Sequence, residues 1–239
     1  MTKSISIAVI MAAALSSCEG QDSKPVTLAS SEDSASYAIG VSVGTNLLKD
    51  FRTEGIDSSF NLDLLLAGIR QSLITEDAQM TEEQAGMAVQ GYFAKLSEKK
   101  AEENEALGKK FLAENASKAN VKTTESGLQY IALKEGEGTA PTTMDQVKVH
   151  YTGKLMNGEV FDSSEDRGEP VTFFLRSVIP GWTEVLQLMK PGAEYKVFIP
   201  GQLAYGPNGG PKGSGIGPNE VLLFDIKLID VIKGEEPKK

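Results

Sequence analysis

Little in this chain could hold a metal or close a disulfide. Its 239 residues include one cysteine, one histidine and one tryptophan. A lone cysteine rules out an internal disulfide framework. One histidine beside it leaves no donor set for zinc. No Gly-x-Ser-x-Gly motif accompanies His150, so a serine triad has no nucleophile elbow. The glycine-rich stretch from Gly206 to Gly215 lacks the Gly-Lys-Ser/Thr of a phosphate loop. No metal and no cofactor is implied. Positive charge is also scarce: 24 Lys and Arg face 33 Asp and Glu, a net charge of −9. That excludes the basic face nucleic-acid binding needs; the acidity itself speaks only for solubility. Beyond the N-terminus no apolar run nears the roughly 20 residues of a membrane span. A folded soluble body of one or two domains remains.

The N-terminus stands apart. Met1 to Ala14 carries one lysine, Lys3, and an apolar stretch runs from Ile5 to Leu15. It is short for a span and reads as a secretory signal, residues 1–17. Leu15-Ser16-Ser17-Cys18 follows at once. Small residues ending in cysteine resemble the bacterial lipobox, in which Cys18 is lipidated and becomes the first mature residue. The plainer alternative is an ordinary signal with a chance cysteine. Residues 18–30 are polar and aperiodic, a tether.

Residues 31–120 read as helical. A first helix starts near Ser31, with Tyr37, Val41, Leu47 and Leu48 near one face. Gly40-x-x-x-Gly44 would let another helix come close. Asn61 is a candidate N-cap for an amphipathic helix carrying Leu62, Leu65, Leu66, Ile69 and Leu73. Thr81-x-x-Gln84 is a capping box opening a long third helix. Without proline until Pro141, it is expected to run to about Ala119, about 58 Å at 1.5 Å per residue. Glu98 to Lys110 is nearly all charged, which favours a helix bridging domains through solvent. The alternative, a helix lying along one domain, needs an apolar stripe, and only Ala101, Ala106 and Leu107 offer one. So short a helical region holds too little apolar surface to stand alone. An interleaved dimer would supply the missing burial.

Residues 121–239 change texture. Strands are expected at Gly127–Leu133, Val147–Leu155, Val171–Leu175, Glu194–Ile199 and Val221–Ile232, bounded by Gly, Pro and Asn turns. Thr183–Met189 is the one short helix, stopped by Pro191-Gly192. The class is α+β: a helical N-terminal region with a long connecting helix, then an antiparallel sheet wrapped on one short helix.

Within that second region lie Val147-Lys148-Val149-His150-Tyr151-Thr152-Gly153, Phe161-Asp162-Ser163-Ser164, Val178-Ile179-Pro180-Gly181-Trp182 and Leu203-Ala204-Tyr205-Gly206. In order and spacing this set resembles the FKBP-type peptidyl-prolyl cis-trans isomerases, above all the dimeric bacterial Mip and FkpA branch. The resemblance is strong from about Val121 to Lys233 and looser before it. It implies an FKBP-like fold, isomerase activity, a homodimer and no cofactor. Carried over position by position, it makes Trp182 the floor beneath the proline ring. Tyr151, Phe161, Val178, Ile179 and Phe224 become walls. The Ile179 N–H and the Tyr205 hydroxyl would hold substrate carbonyls. Asp162, a buried acid, would face the amide, oriented by Tyr151 and Arg167. Ile216 would close one side from the Gly206–Pro218 flap. The pattern departs at Val171, a wall position often aromatic in the family, and in the flap, which is long and glycine-rich. Both bear on the preference around proline rather than on the activity.

Each residue has a plainer reading when taken alone. Trp182, Phe161 and Phe224 are core fillers, Asp162 caps a bend, Arg167 is a solvated charge and His150 is a strand residue. Their joint spacing favours a site. The leading function is a prolyl isomerase assisting the folding of extracytoplasmic proteins, lipid-anchored in the periplasm or envelope, at the outer membrane. The alternatives keep the fold but use the dimer as a chaperone or a surface interaction platform. Partners would be proline-containing unfolded proteins and a second copy of the chain, not nucleic acid.

Overall fold

The computed structural model describes residues 26–53, 60–75 and 78–234. The chain forms two compact units, residues 1–59 and 60–239. The first contains helix α1 (Ser31–Thr53). Ser30 and Asp33 cap it reciprocally: the Asp33 N–H donates to Ser30 Oγ, and the Ser30 N–H to Asp33 Oδ2, both at 3.0 Å. Tyr37, Ile39, Val41 and Val43 are exposed along it. A Cβ at Gly40 or Gly44 would meet nothing within 4 Å.

The second unit opens with α2 (Leu62–Arg70), whose N-cap Asn61 accepts from the Asp63 and Leu64 N–H groups. A π-helical turn, Gln71–Thr75, continues it. No residue of α2 is buried. Helix α3 (Glu82–Ala116) follows behind the capping box, with Gln84 N to Thr81 Oγ1 at 3.2 Å and Thr81 N to Gln84 Oε1 at 2.9 Å. Its 35 residues span about 52 Å.

The second half of α3 does not bridge through solvent. Ala101, Asn104, Gly108 and Asn115 are buried. Their spacing of three, four and seven puts them on one stripe. A Cβ at Gly108 would come within 2.7 Å of Val221 Cγ2. The Phe111 ring stands 6.0 Å from that of Phe198. Asn115 Nδ2 donates to Gln129 Oε1 at 2.9 Å, and Gln129 Nε2 donates to the Leu112 carbonyl at 2.8 Å. Small residues and paired amides make a seam where no apolar stripe exists.

The sheet is wholly antiparallel. Its strands are β1 (Lys122–Thr123), β2 (Gln129–Lys134), β3 (Gln146–Leu155), β4 (Val160–Ser163), β5 (Val171–Phe174), β6 (Glu194–Ile199) and β7 (Leu222–Ile232). The order is β1-β2-β6-β7-β3-β4, with β5 also on β3. Strand β3 alternates strictly, sending Val147, Val149, Tyr151, Gly153 and Leu155 inward. The single-turn helix α4 (Ser164–Arg167) follows β4, and α5 (Pro180–Leu186) packs on the inner face through Trp182, Val185 and Leu186. Helix α5 begins three residues earlier than the sequence suggests. Pro180 suits the first helical position, where no N–H partner is needed, and the Ile179 carbonyl accepts from Trp182 and Thr183.

Candidate active site

Strands β3 and β7 pair along their whole length, and their inward alternation brings Tyr151 and Phe224 to the face covered by α5. Four rings surround Trp182 or one another edge to face. Tyr151 and Trp182 are 5.1 Å apart at 88°, and Trp182 and Phe224 5.3 Å at 81°. Phe161 meets Phe224 at 5.6 Å, and Phe173 meets Trp182 at 5.7 Å. These T-shaped contacts match the positive edge of one ring to the negative face of the next. Gly153 makes room for them: a Cβ there would fall 2.6 Å from Phe161 Cζ and 2.8 Å from Phe224 Cε1. Val171, Val178 and Ile179 pack half-buried against the same cluster, and Ile216 is buried in it. The Trp182 indole N–H is buried and has no hydrogen-bond partner among the described residues.

Beside the rings lies a polar network. The Tyr151 hydroxyl donates to Asp162 Oδ2, Arg167 Nη1 donates to Asp162 Oδ1, and Arg167 Nη2 donates to the Tyr151 hydroxyl at 3.0 Å. Local sequence aims the parts. Ser163 caps α4, accepting from the Asp166 N–H. Gly168 ends it at φ 80°, in the left-handed region glycine tolerates. One helical turn thus turns Arg167 back over Asp162. The acid is not buried as the sequence reading has it: its side chain is 40% exposed. A carboxylate with an arginine partner sits stably at the rim of a pocket, where burial would cost far more.

The titration of these groups follows from their neighbours. Partial burial opposes ionisation of Asp162, but the hydrogen bonds from Tyr151 and Arg167 and the guanidinium charge together outweigh it, and its pKa is lowered. Burial raises the Tyr151 pKa, and the bond to Asp162 raises it further. Tyr205 is raised by burial and then by the Asp162 charge. Both phenols therefore keep their protons, and remain donors, throughout the neutral range.

The loop beyond β6 supplies the rest. Tyr205 is partly exposed at the start of the flap. Within the flap the Gly210 N–H donates to the Ile216 carbonyl at 2.9 Å, and at its neck the Asn219 N–H donates to the Gly206 carbonyl at 2.7 Å. Gly209 takes φ 71° to make the turn.

Tyr151, Phe161, Asp162, Arg167, Val171, Val178, Ile179, Trp182, Ile216 and Phe224 thus gather around one surface, and the charge on Asp162 reaches Tyr205. Cys18 lies outside the described residues. Three residues to which the sequence assigns no role in the site contribute to it. Phe173, rather than Val171, brings an aromatic ring to Trp182; the strand period that faces Val171 inward does the same for Phe173. Gly153 was legible only as a glycine in a strand, a mark of close approach. Ser164, fully buried, works at a break in the sheet: β5 pairs β3 up to Val149 and β4 pairs it from Thr152. In the gap, Ser164 Oγ accepts from the Tyr151 N–H at 2.8 Å and reaches the Tyr151 carbonyl at 3.2 Å. It satisfies two backbone groups that this edge would otherwise leave open. His150 Nδ1 lies 3.1 Å from the same hydroxyl.

Comparison with known proteins agrees with this geometry. The family model for FKBP-type peptidyl-prolyl cis-trans isomerase matches residues 137–229, and that for the domain amino terminal to it matches residues 32–131. The chain is 43% identical over 220 residues to the FKBP-type peptidyl-prolyl cis-trans isomerase FkpA of Aeromonas hydrophila, covering 87% of this chain and 81% of that one. It is 44% identical over 216 residues to the outer membrane protein MIP of Legionella longbeachae, covering 87% and 88%. The crystal structure of FkpA from Escherichia coli matches with a TM-score of 0.67 at 36% identity, over 87% of this chain and 100% of that one.

Proposed function

We infer how this molecule works from one premise: the chain belongs to the FKBP-type peptidyl-prolyl cis-trans isomerases and is an enzyme of that class. The observation that carries the reading is the ring of edge-to-face aromatics about Trp182, bordered by the Asp162–Tyr151–Arg167 network.

Rotation about X-Pro faces a barrier of about 18–20 kcal/mol because amide resonance must be broken. The reaction needs no nucleophile or electron carrier, only a surface that binds the twisted amide better than either planar form. The twisted carbonyl has lost resonance and bears less negative charge, so an apolar pocket disfavours it less than it disfavours the planar amide. In this reading the proline ring rests on Trp182, between Tyr151, Phe161, Phe224, Val178 and Ile179, with Val171 behind. The Ile179 N–H and the Tyr205 hydroxyl anchor flanking carbonyls. Asp162 faces the amide, held by Tyr151 and Arg167, and Ile216 closes the side. Protease-coupled turnover of a proline-containing tetrapeptide tests it. Trp182→Phe is expected to keep the fold and lower kcat/KM; a folded variant with parental turnover rejects the pocket.

The finer biology belongs to the same proposal. Residues 31–120 serve dimerisation and linkage, and residues 121–239 carry catalysis. Cys18 is the lipidated first residue of the mature chain, tethering it to the cell envelope, at the outer membrane. Its clients are proline-containing extracytoplasmic proteins as they fold. No described helix is long and apolar enough to cross a membrane, so attachment would rest on the lipid. Cys18→Ser is expected to move the protein from the membrane fraction to the soluble one in its host. Continued membrane association of that variant rejects the lipobox. Exposed apolar side chains on α1 and, separately, on α2 favour a second role for the helical region, the binding of unfolded chain.

A further inference from the structure

Asn104 lies in the charged part of α3 yet is 4% exposed. Its Nδ2 donates to the Pro218 carbonyl at 2.8 Å. It also lies against Gly217, where a Cβ would come 3.1 Å from Nδ2. One turn earlier, the Ala101 carbonyl is 3.5 Å from Asn219 Nδ2. One turn later, Gly108 admits Val221. All of these partners belong to the segment where the flap rejoins β7.

That segment is the flap's neck. The Asn219 N–H closes it against the Gly206 carbonyl at 2.7 Å. Asn219 holds φ 51°, an unfavourable state for a residue with a side chain, though asparagine adopts it more readily than most. The Gly217 N–H is taken by Glu220 Oε2 at 2.7 Å. Tyr205 adjoins one end of this neck and Ile216 the other. Beside this neck a cleft of about 430 Å³ runs between α3 and the sheet, lined among others by Gly108, Leu112, Gln129, Pro200, Asn219 and Val221. Of the two hydrogen bonds that join helix and neck, the one from Asn104 is the shorter, at 2.8 Å against 3.5 Å.

We propose that Asn104 is a positioning residue for the isomerase: through Pro218 it braces the flap that presents Tyr205 and Ile216 to the substrate. The long helix is thereby coupled to the catalytic pocket rather than merely attached to its domain. The proposal rests on the pocket assignment of Tyr205 and Ile216. Its two halves are separable because the brace itself is a property of the neck.

The test uses the full chain. Asn104→Ala removes the amide; Asn104→Asp keeps its volume and replaces the donor with an acceptor facing the Pro218 carbonyl. Asn115→Ala is the matched control, since it removes a buried amide from the same seam away from the flap. Amide hydrogen exchange at Asn219 and Gly210 is expected to quicken by about three- to tenfold in both Asn104 variants, the weight of one hydrogen bond, and to stay at the parental rate in Asn115→Ala. KM for a proline tetrapeptide is expected to rise by a similar factor, with kcat near the parental value, because a displaced wall weakens planar and twisted forms alike. Folded Asn104 variants with parental exchange at the neck overturn the brace. Equal effects from Asn115→Ala also overturn it, since they would mark a general loss of packing. Ile216→Ala separates the two readings: a KM it leaves unmoved rejects the pocket assignment, while exchange still decides the brace.

Discussion

Tyr151 serves two neighbourhoods at once. Its ring stands edge-on to Trp182, and its hydroxyl joins Asp162 to Arg167. Tyr151→Phe keeps the ring and removes the proton donor, so the Asp162 pKa is expected to rise toward the ordinary carboxylate value of about 3.9. The sign follows from the direction of the shift. A lowered folded-state pKa contributes stability that is present above the unfolded value and lost as pH falls through the folded one. The variant therefore loses part of this contribution, Arg167 keeping the rest, and the acid limb of its kcat/KM profile moves to higher pH. An unmoved limb would show that Asp162 ionisation does not govern turnover. The two sides of the site also differ in what they cost the fold. Phe224 is buried, and Phe224→Ala is expected to cost about 3–5 kcal/mol as well as turnover. Asp162 is half exposed, so Asp162→Leu is expected to cut turnover with only a small change in melting temperature. Parental turnover in folded forms of both variants would remove these residues from the site.

At the scale of elements, α3 decides where the catalytic unit begins. A fragment starting at Asn120 contains every proposed pocket residue and is expected to turn over peptide. It lacks the helix that covers Phe198 and Val221, and it leaves the Gln129 amide without its partners. A fragment starting at Ser97 is expected to be more stable by about 2–4 kcal/mol, from re-covered apolar area and the seam's hydrogen bonds. Denaturant melts of the two fragments measure this, and equal midpoints would mean that the seam contributes nothing. The sequence shows the ends of this helix plainly, because capping is local: Thr81 and Gln84 sit three residues apart. It hides the docked face, because Asn104, Gly108 and Asn115 look like solvated helix until their partners, more than a hundred residues away for Asn104, are known. The strands of the sheet are legible for the opposite reason. Alternation from Val147 to Leu155 is a local pattern that burial on one face imposes. The pocket falls between these cases. Its aromatic positions stand out by spacing, whereas Ser164 matters only because β4 and β5 leave a gap along β3.

The whole molecule raises a question of uncovered surface. In α2, Leu64 is 70% exposed, and Leu73 in the turn after it is 78% exposed. In α1, Tyr37, Ile39, Val41 and Val43 are bare as well. Apolar surface on this scale marks an interaction site. A second copy of the chain is the occupant that would bury it in both partners at once, and small helices gain most from such burial. A dimer would carry two catalytic pockets to one unfolded client. The benefit is then effective concentration: once one pocket engages, the other samples nearby prolines without a second encounter, provided the spacing allows both. Deleting Ser31–Leu96 leaves the seam of α3 in place, so the remaining chain is expected to fold as a monomer. Light scattering should give a dimer mass for the mature protein and a monomer mass for the deletion. Turnover of a tetrapeptide, which needs one pocket, should persist per site. Catalysis of a proline-limited refolding reaction should drop further, because it draws on both pockets. A mature protein that is monomeric at micromolar concentration would overturn the dimer. The bare stripes of α1 and α2 would then be a surface for client chains, and the refolding deficit of the deletion would measure that binding directly.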